Sequence, residues 1–225
     1  MNALPRVPGR RYAVFLSLTV AGLAWDLWTK WWAFGTFGFP RSVDDPQHLS
    51  EPWFEWLWGP KVLFISTHLN CGALWGLGQG QSHIFAGMSV IAALVILGFL
   101  FVYKGAHSWW LTVALGFVMA GVLGNLYDRL GLHGWMNPQT KEPIRAVRDF
   151  LHFWFFDGTR AHFDWAIFNF ADTYLVTGAM GCIGAWVVRN LVQEGTPVTV
   201  LDLSDNPHRL RLIMSDEELG RVHFV

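Results

Sequence analysis

The chain has 225 residues, of which 52% are hydrophobic, 16% aromatic and 15% charged, with a formal net charge of −1. Ordinary soluble domains are roughly 25% charged, and so many aromatic rings exceed what a small soluble core uses, which points to a polytopic membrane protein. The composition excludes a disordered or collagen-like chain. The neutral charge argues against nucleic-acid binding, and the two distant cysteines, Cys71 and Cys182, indicate neither a zinc site nor a disulfide framework.

Four apolar stretches match the roughly 20 residues a spanning helix needs: Tyr12–Phe34, Ile84–Tyr103, Trp109–Leu126 and Ala166–Val188. Arg6, Arg10 and Arg11 precede the first, Lys104 lies between the second and third, and Arg189 closes the fourth. The positive-inside rule then places both termini in the cytoplasm and the connections 35–83 and 127–165 outside. Asp26 and Lys30 stand where a signal peptide would have its small-residue cleavage site, so the first span is expected to be retained. The first outer connection is rich in Gly and Pro and holds a strand-like run, Val62–Leu69, so a small β-rich element is expected there. The second, with Trp154, Phe155, Phe156 and Trp165, reads as a segment lying in the interface.

On this topology Asp26, Asp128, Asp149 and Asp172 all fall near the outer ends of spans. Ionisable residues there are costly, and each points to a functional site. Asn125 precedes Asp128, and Asn169 precedes Asp172, by three residues, one face of a helix in each case. Gly116, Ala120 and Gly124, beside Gly121, form a small-residue stripe that lets neighbouring helices approach closely. Two carboxylates brought together would share a proton and act as base toward water and acid toward a leaving amine. No His pair, H-E-x-x-H, G-x-S-x-G or Ser-x-x-Lys offers a metal or serine alternative. A non-catalytic membrane protein, its acids merely facing water, remains the competing reading.

The ordered motifs resemble the lipoprotein signal peptidase (signal peptidase II) family over roughly residues 10–190: Asp26-Leu-Trp-Thr-Lys30, Asn70-Cys-Gly-Ala-Leu-Trp-Gly76, Gly121-Val-Leu-Gly-Asn-Leu-Tyr-Asp-Arg129, Val147-Arg-Asp-Phe150 and Phe168-Asn-Phe-Ala-Asp172. The resemblance implies an intramembrane aspartic endopeptidase of the bacterial cytoplasmic membrane, acting near its outer face. Its substrates would be diacylglyceryl-modified prolipoproteins cut before the lipidated Cys, with membrane lipids as the other partner and no cofactor or metal. It implies Asp149 and Asp172 as the dyad, with Asp128 as support and rival for the first place. Asn70, Asn125, Arg129 and Asn169 would orient the substrate backbone and the dyad, while Asp26 and Lys30 brace the first span. Gly72 and Ala171 belong to the matched blocks. Leu27, Cys71, Leu74 and Arg148 depart from the family pattern, and Arg148 beside Asp149 suggests a cation holding that carboxylate ionised.

The expected architecture is thus a membrane all-α domain, residues 1–190, with four spans and the small β-rich extracytoplasmic element, followed by a cytoplasmic tail, 191–225. From Val176 the run Val-Thr-Gly-Ala-Met-Gly-Cys-Ile-Gly184, with Asp202 eighteen residues later, also resembles the start of an NAD-dependent epimerase. On that reading the tail is a fragment of a dinucleotide-binding fold, and the protein a membrane-anchored NAD-binding hybrid. The stretch is short, and Tyr-x-x-x-Lys is absent. The tail is therefore expected to bind no NAD and to pack poorly, being too small to bury a core.

Overall fold

The computed structural model describes residues 6–40, 63–72, 78, 80–137, 140–156, 161–178, 184–200, 208–211 and 213–224. Pro46, Pro52, Pro60, the Ala73–Gly76 part of the second motif, Gly181, Cys182 and Asp202 lie outside them. Three helices are long and apolar enough to cross a membrane. These are α1 (Gly9–Phe37), α2 (Ser82–Leu97, continued by a π-helical turn, Gly98–Val102) and α3 (Trp109–Arg129). Half of α3's apolar window is buried against 17% of α2's, so α3 is the central helix and α2 leaves most of its apolar surface for lipid.

Small residues set how closely α3 is approached. A Cβ on Gly116 would lie 3.2 Å from that of Leu18, and one on Gly124 would collide with the Asp26 carboxylate and press on Ala171. The glycine stripe read in the sequence therefore packs both α1 and the chain around Ala171 against α3.

The expected fourth span is described in two helical parts, and residues 179–183 between them lie outside the described residues. Phe170–Gly178 forms α4 and Gly184–Gln193 forms α5. The described part of α4, nine residues, is about 14 Å long at 1.5 Å per residue. The described parts of the span lie along α3 in the opposite direction. Ala171 packs beside Gly121 and Gly124, Gly178 against Ala114 and Val118, and Trp186 against the cluster of Phe15, Ala106 and Leu111.

The β-rich element is also built differently from expectation. Its first strand, β1 (Leu63–Asn70), comes from the first connection, but β2 (Val147–Phe156) and β3 (Ala161–Asp164) come from the second, in antiparallel order β1-β2-β3. The 154–156 run expected to lie in the interface is thus strand, the end of a segment rich in the aromatic residues that favour strands. Between Ile65 and His68 the register shifts, so that Ser66 and Thr67 oppose Phe150 as a bulge. Ala33, Phe34, Ile65, Leu69, Ala146 and Phe150 form the core that fastens this sheet to the end of α1.

The tail is packed, contrary to expectation. Val192, Val198, Leu210, Met214 and Val222 are buried together between α5, α6 (His208–Arg211) and a parallel pair, β4 (Val198–Val200) and β5 (Val222–Phe224). A short helix, α7 (Asp216–Leu219), is closed by a capping box from Ser215 and Glu218. Residue 190 lies within α5, whose Val188, Leu191 and Val192 face this core. Val176–Gly178, which the epimerase pattern would place at the end of a strand, are helical in α4.

Candidate active site

The site lies between two apolar clusters, one around Phe15, Leu100 and Met119 and the other around Phe34, Ile65 and Phe150. Four ionic side chains fill the intervening layer. In α1, Asp26 and Lys30 are one turn apart and both fully buried, with Nζ 2.8 Å from Asp26 Oδ2. Lys30 also reaches Asp128 Oδ2 of α3 at 3.2 Å and donates to Asn125 Oδ1 at 3.1 Å. Asp26 Oδ1 accepts the backbone N–H of Ala171 at 2.9 Å, which ties α1 to the start of α4. Asp128 accepts from Arg148: Nε and Nη2 donate to Oδ1 at 2.9 and 2.7 Å, and the backbone N–H donates to Oδ2 at 3.0 Å.

Asp149 and Asp172 sit beside this layer, joined through two asparagines. Asn169 Nδ2 donates to Asp149 Oδ1 at 2.5 Å and to Asn125 Oδ1 at 3.2 Å, while Asn125 Nδ2 donates to Asp172 Oδ1 at 2.8 Å. Asn169 and Asp172 also close a reciprocal turn: the Asn169 N–H donates to Asp172 Oδ2 and the Asp172 N–H to Asn169 Oδ1, at 3.2 and 3.1 Å. From β1, Asn70 Nδ2 donates to Asp149 Oδ2 at 3.1 Å, and Asn70 Oδ1 accepts the Gly72 N–H at 2.9 Å. Arg129 Nη2 donates to the Gly72 carbonyl at 3.1 Å, its guanidinium lying over the Phe85 ring.

Burial pushes the Asp149 carboxyl well above the ordinary range, and the charge of Asp172 adds to the shift. Asp149 is 1% exposed and enclosed, whereas Asp172 opens onto a cavity of about 460 Å³. Leu63, Leu151, Phe153, Phe168 and Val176 line that cavity, so Asp172 faces an apolar chamber. Asp149, Leu151 and Phe153 alternate along β2, which puts the carboxylate on the strand face that walls the cavity. Alternation sends Arg148 to the opposite face, where it binds Asp128. The expected cation beside Asp149 is thus directed away from it, and period-two reading of β2 was the signal for this.

The residues expected to form or support the site are found in or next to this assembly. Asp26, Lys30, Asn70, Asn125, Asp128, Asp149, Asn169 and Asp172 form one connected set of polar contacts, while Gly72 and Ala171 join through backbone groups. Arg129 joins it through its hydrogen bond to the Gly72 carbonyl and through its charge, which acts on Asp172, Asp149 and Asp128. Sequence reading missed His68, the direct cross-strand partner of Asp149 and therefore on its face of the sheet. Among the described residues no group of His, Cys, Asp and Glu has an arrangement that could hold a metal ion.

A family model described as "Signal peptidase (SPase) II" matches residues 18–188. The lipoprotein signal peptidase of Rhodopirellula baltica is 41% identical over 174 residues, covering 77% of this chain and 71% of its own. That of Geobacillus thermodenitrificans is 28% identical over 173 residues, covering 76% and 88%. A solved bacterial membrane enzyme, determined by the in meso method, superposes with a TM-score of 0.54 over 81% of this chain and 90% of its own; at 23% identity this likeness bears on the fold. None of these findings extends the epimerase resemblance of the tail. The chain belongs to the signal peptidase II, or lipoprotein signal peptidase, family.

Proposed function

We propose that this protein is an intramembrane aspartic endopeptidase that removes the signal peptide from diacylglyceryl-modified prolipoproteins, cutting before the lipidated Cys, with Asp149 and Asp172 as its dyad. The observation that carries this reading is the pair of carboxylates linked through Asn125 and Asn169 at the edge of an apolar cavity. Burial and the charge of Asp172 favour the protonated form of Asp149, which suits a dyad that shares one proton. The ionised carboxylate takes a proton from water as its oxygen bonds to the scissile carbonyl carbon, and the protonated one hydrogen-bonds the carbonyl oxygen. Collapse of the tetrahedral intermediate breaks the C–N bond, and the proton passes to the leaving amine. The cavity walls suit apolar substrate groups, and Asn70, Arg129 and Asn169 are placed to orient the backbone.

Asp128 is assigned to support: Arg148 and Lys30 already satisfy it in a fully buried setting, which leaves it no free proton-transfer role. The same reading places the protein in the bacterial cytoplasmic membrane, both termini inside and the dyad near the outer face. The contacts of Ala171, Gly178 and Trp186 at successive levels of α3 support a fourth crossing, with α4 as its outer part. The test is cleavage of a lipidated prolipoprotein by purified protein. Asp149→Asn and Asp172→Asn are each expected to be inactive while folded, because an amide keeps the shape but cannot carry the proton; activity in either ends the dyad assignment.

A further inference from the structure

Arg148 carries a buried charge for which the reaction above has no use. Its side chain is 3% exposed, and two guanidinium N–H groups converge on Asp128 Oδ1 while its own backbone N–H holds Oδ2. The three N–H directions of Lys30 are divided among Asp26, Asp128 and Asn125. Asn125 in turn donates to Asp172 and accepts from the Asn169 amide that holds Asp149. The layer beneath the dyad thus contains two anions, Asp26 and Asp128, and two cations, Lys30 and Arg148. It is neutral only because Arg148 is present.

We propose that Arg148 is a positioning residue for the peptidase reaction: by neutralising Asp128 it leaves Lys30 free to hold Asn125, and so sets the charge and orientation of the Asp149–Asp172 pair. The proposal rests on the reading of those two residues as the dyad. Without Arg148, Asp128 keeps only Lys30 and a backbone N–H, and draws the ammonium away from Asn125. One net negative charge then lies under two carboxylates that must give up a proton between them, and the first ionisation moves to higher pH. The groups that face Asp149 from the packed elements are His68 of β1, Asp26 and Lys30 of α1, Asp128 and Arg129 of α3, and Asp172 of α4. Burial holds the His68 imidazole toward its neutral form, so it does not replace the lost cation.

The experiment is the pH dependence of kcat for the full chain in lipid or detergent, with a lipidated prolipoprotein as substrate. Arg148→Gln, planar and hydrogen-bonding but uncharged, is expected to move the acid limb up by about one pH unit and to lower kcat more than it raises KM. Arg148→Lys keeps the charge and is expected to leave the limb near its wild-type position. A wild-type limb in Arg148→Gln, or a shift of equal size in Arg148→Lys, overturns the proposal and leaves Arg148 a structural brace. Should Arg148→Gln fail to fold, the Arg148→Gln/Asp128→Asn double variant restores neutrality; its limb is expected at the wild-type pH, and a limb displaced upward overturns the idea. Asp149→Asn is run alongside: activity there would mean that the dyad reading has failed rather than this one.

Discussion

The Asn169 amide donates to Asp149 Oδ1 at 2.5 Å, while the same side chain's oxygen accepts the Asp172 N–H at 3.1 Å. One neutral residue therefore holds both carboxyl-bearing elements, strand β2 and helix α4, in fixed relation. Removing it leaves each carboxylate in place but releases their mutual aim. Asn169→Ala is expected to lower kcat by about 100-fold, the scale of losing one preorganised donor, with a smaller effect on KM. Steady-state kinetics on a lipidated prolipoprotein distinguish this from a variant whose loss lies wholly in KM, which would assign Asn169 to substrate binding instead.

The dyad makes a stability prediction of definite sign. Burial and Asp172 raise the Asp149 carboxyl above its unfolded value, so its protonated form is the one the folded state favours. The associated stability is complete below the unfolded pKa and is lost as pH rises through the folded one. Asp149→Asn removes that loss. Its melting temperature relative to wild type is therefore expected to rise between pH 4 and pH 8, even as activity disappears. A difference that stays flat with pH would mean that the carboxyl titrates normally.

Much of this arrangement could be read from residue types and spacing. The i, i+4 pair Asp26 and Lys30 and the glycine stripe on α3 depend only on helix geometry, and the two meet in the buried ionic layer. The Asn169–Asp172 spacing reads as one helix face, but Asn169 stands just before α4 and meets Asp172 in a reciprocal turn. Strand β2 was harder to foresee. Its partner β1 lies more than 70 residues away, and nothing local says which strand edge Val147–Phe156 joins. The tail's core depends on Val222, far along the chain from Val192, so a length argument underestimated it.

Lys30 is the hinge of the buried charges. Replacing it by Met strands Asp26 and Asp128 with one cation fewer in a fully buried layer, at an expected cost of about 3–5 kcal/mol. Adding Asp26→Asn to that variant removes the stranded charge as well, so the double variant is expected to be more stable than Lys30→Met alone. Chemical denaturation in detergent measures both. Additive losses would show that Asp26 and Lys30 act independently, against the 2.8 Å contact between them.

The last prediction concerns Gly124, which touches no proposed substrate. A methyl group there would meet the Asp26 carboxylate and the Ala171 side chain, 3.3 Å away, both of which fix α1 and α4 against α3. Gly124→Ala must therefore push α4 outward or break the Asp26–Ala171 hydrogen bond. Either response shifts Asp172, one residue beyond Ala171, relative to Asn125, one residue beyond Gly124. Misplacement of reacting groups by about 1 Å costs about 100-fold in rate. Gly124→Ala is accordingly expected to lose about that much in kcat with the protein still folded. The exposed Gly87 of α2, where a Cβ meets nothing within 4 Å, serves as the control, and its Ala variant is expected to be fully active. Equal activities in the two variants would mean that α3 and α4 can separate without disturbing the dyad, and that the close packing at Gly124 serves stability alone.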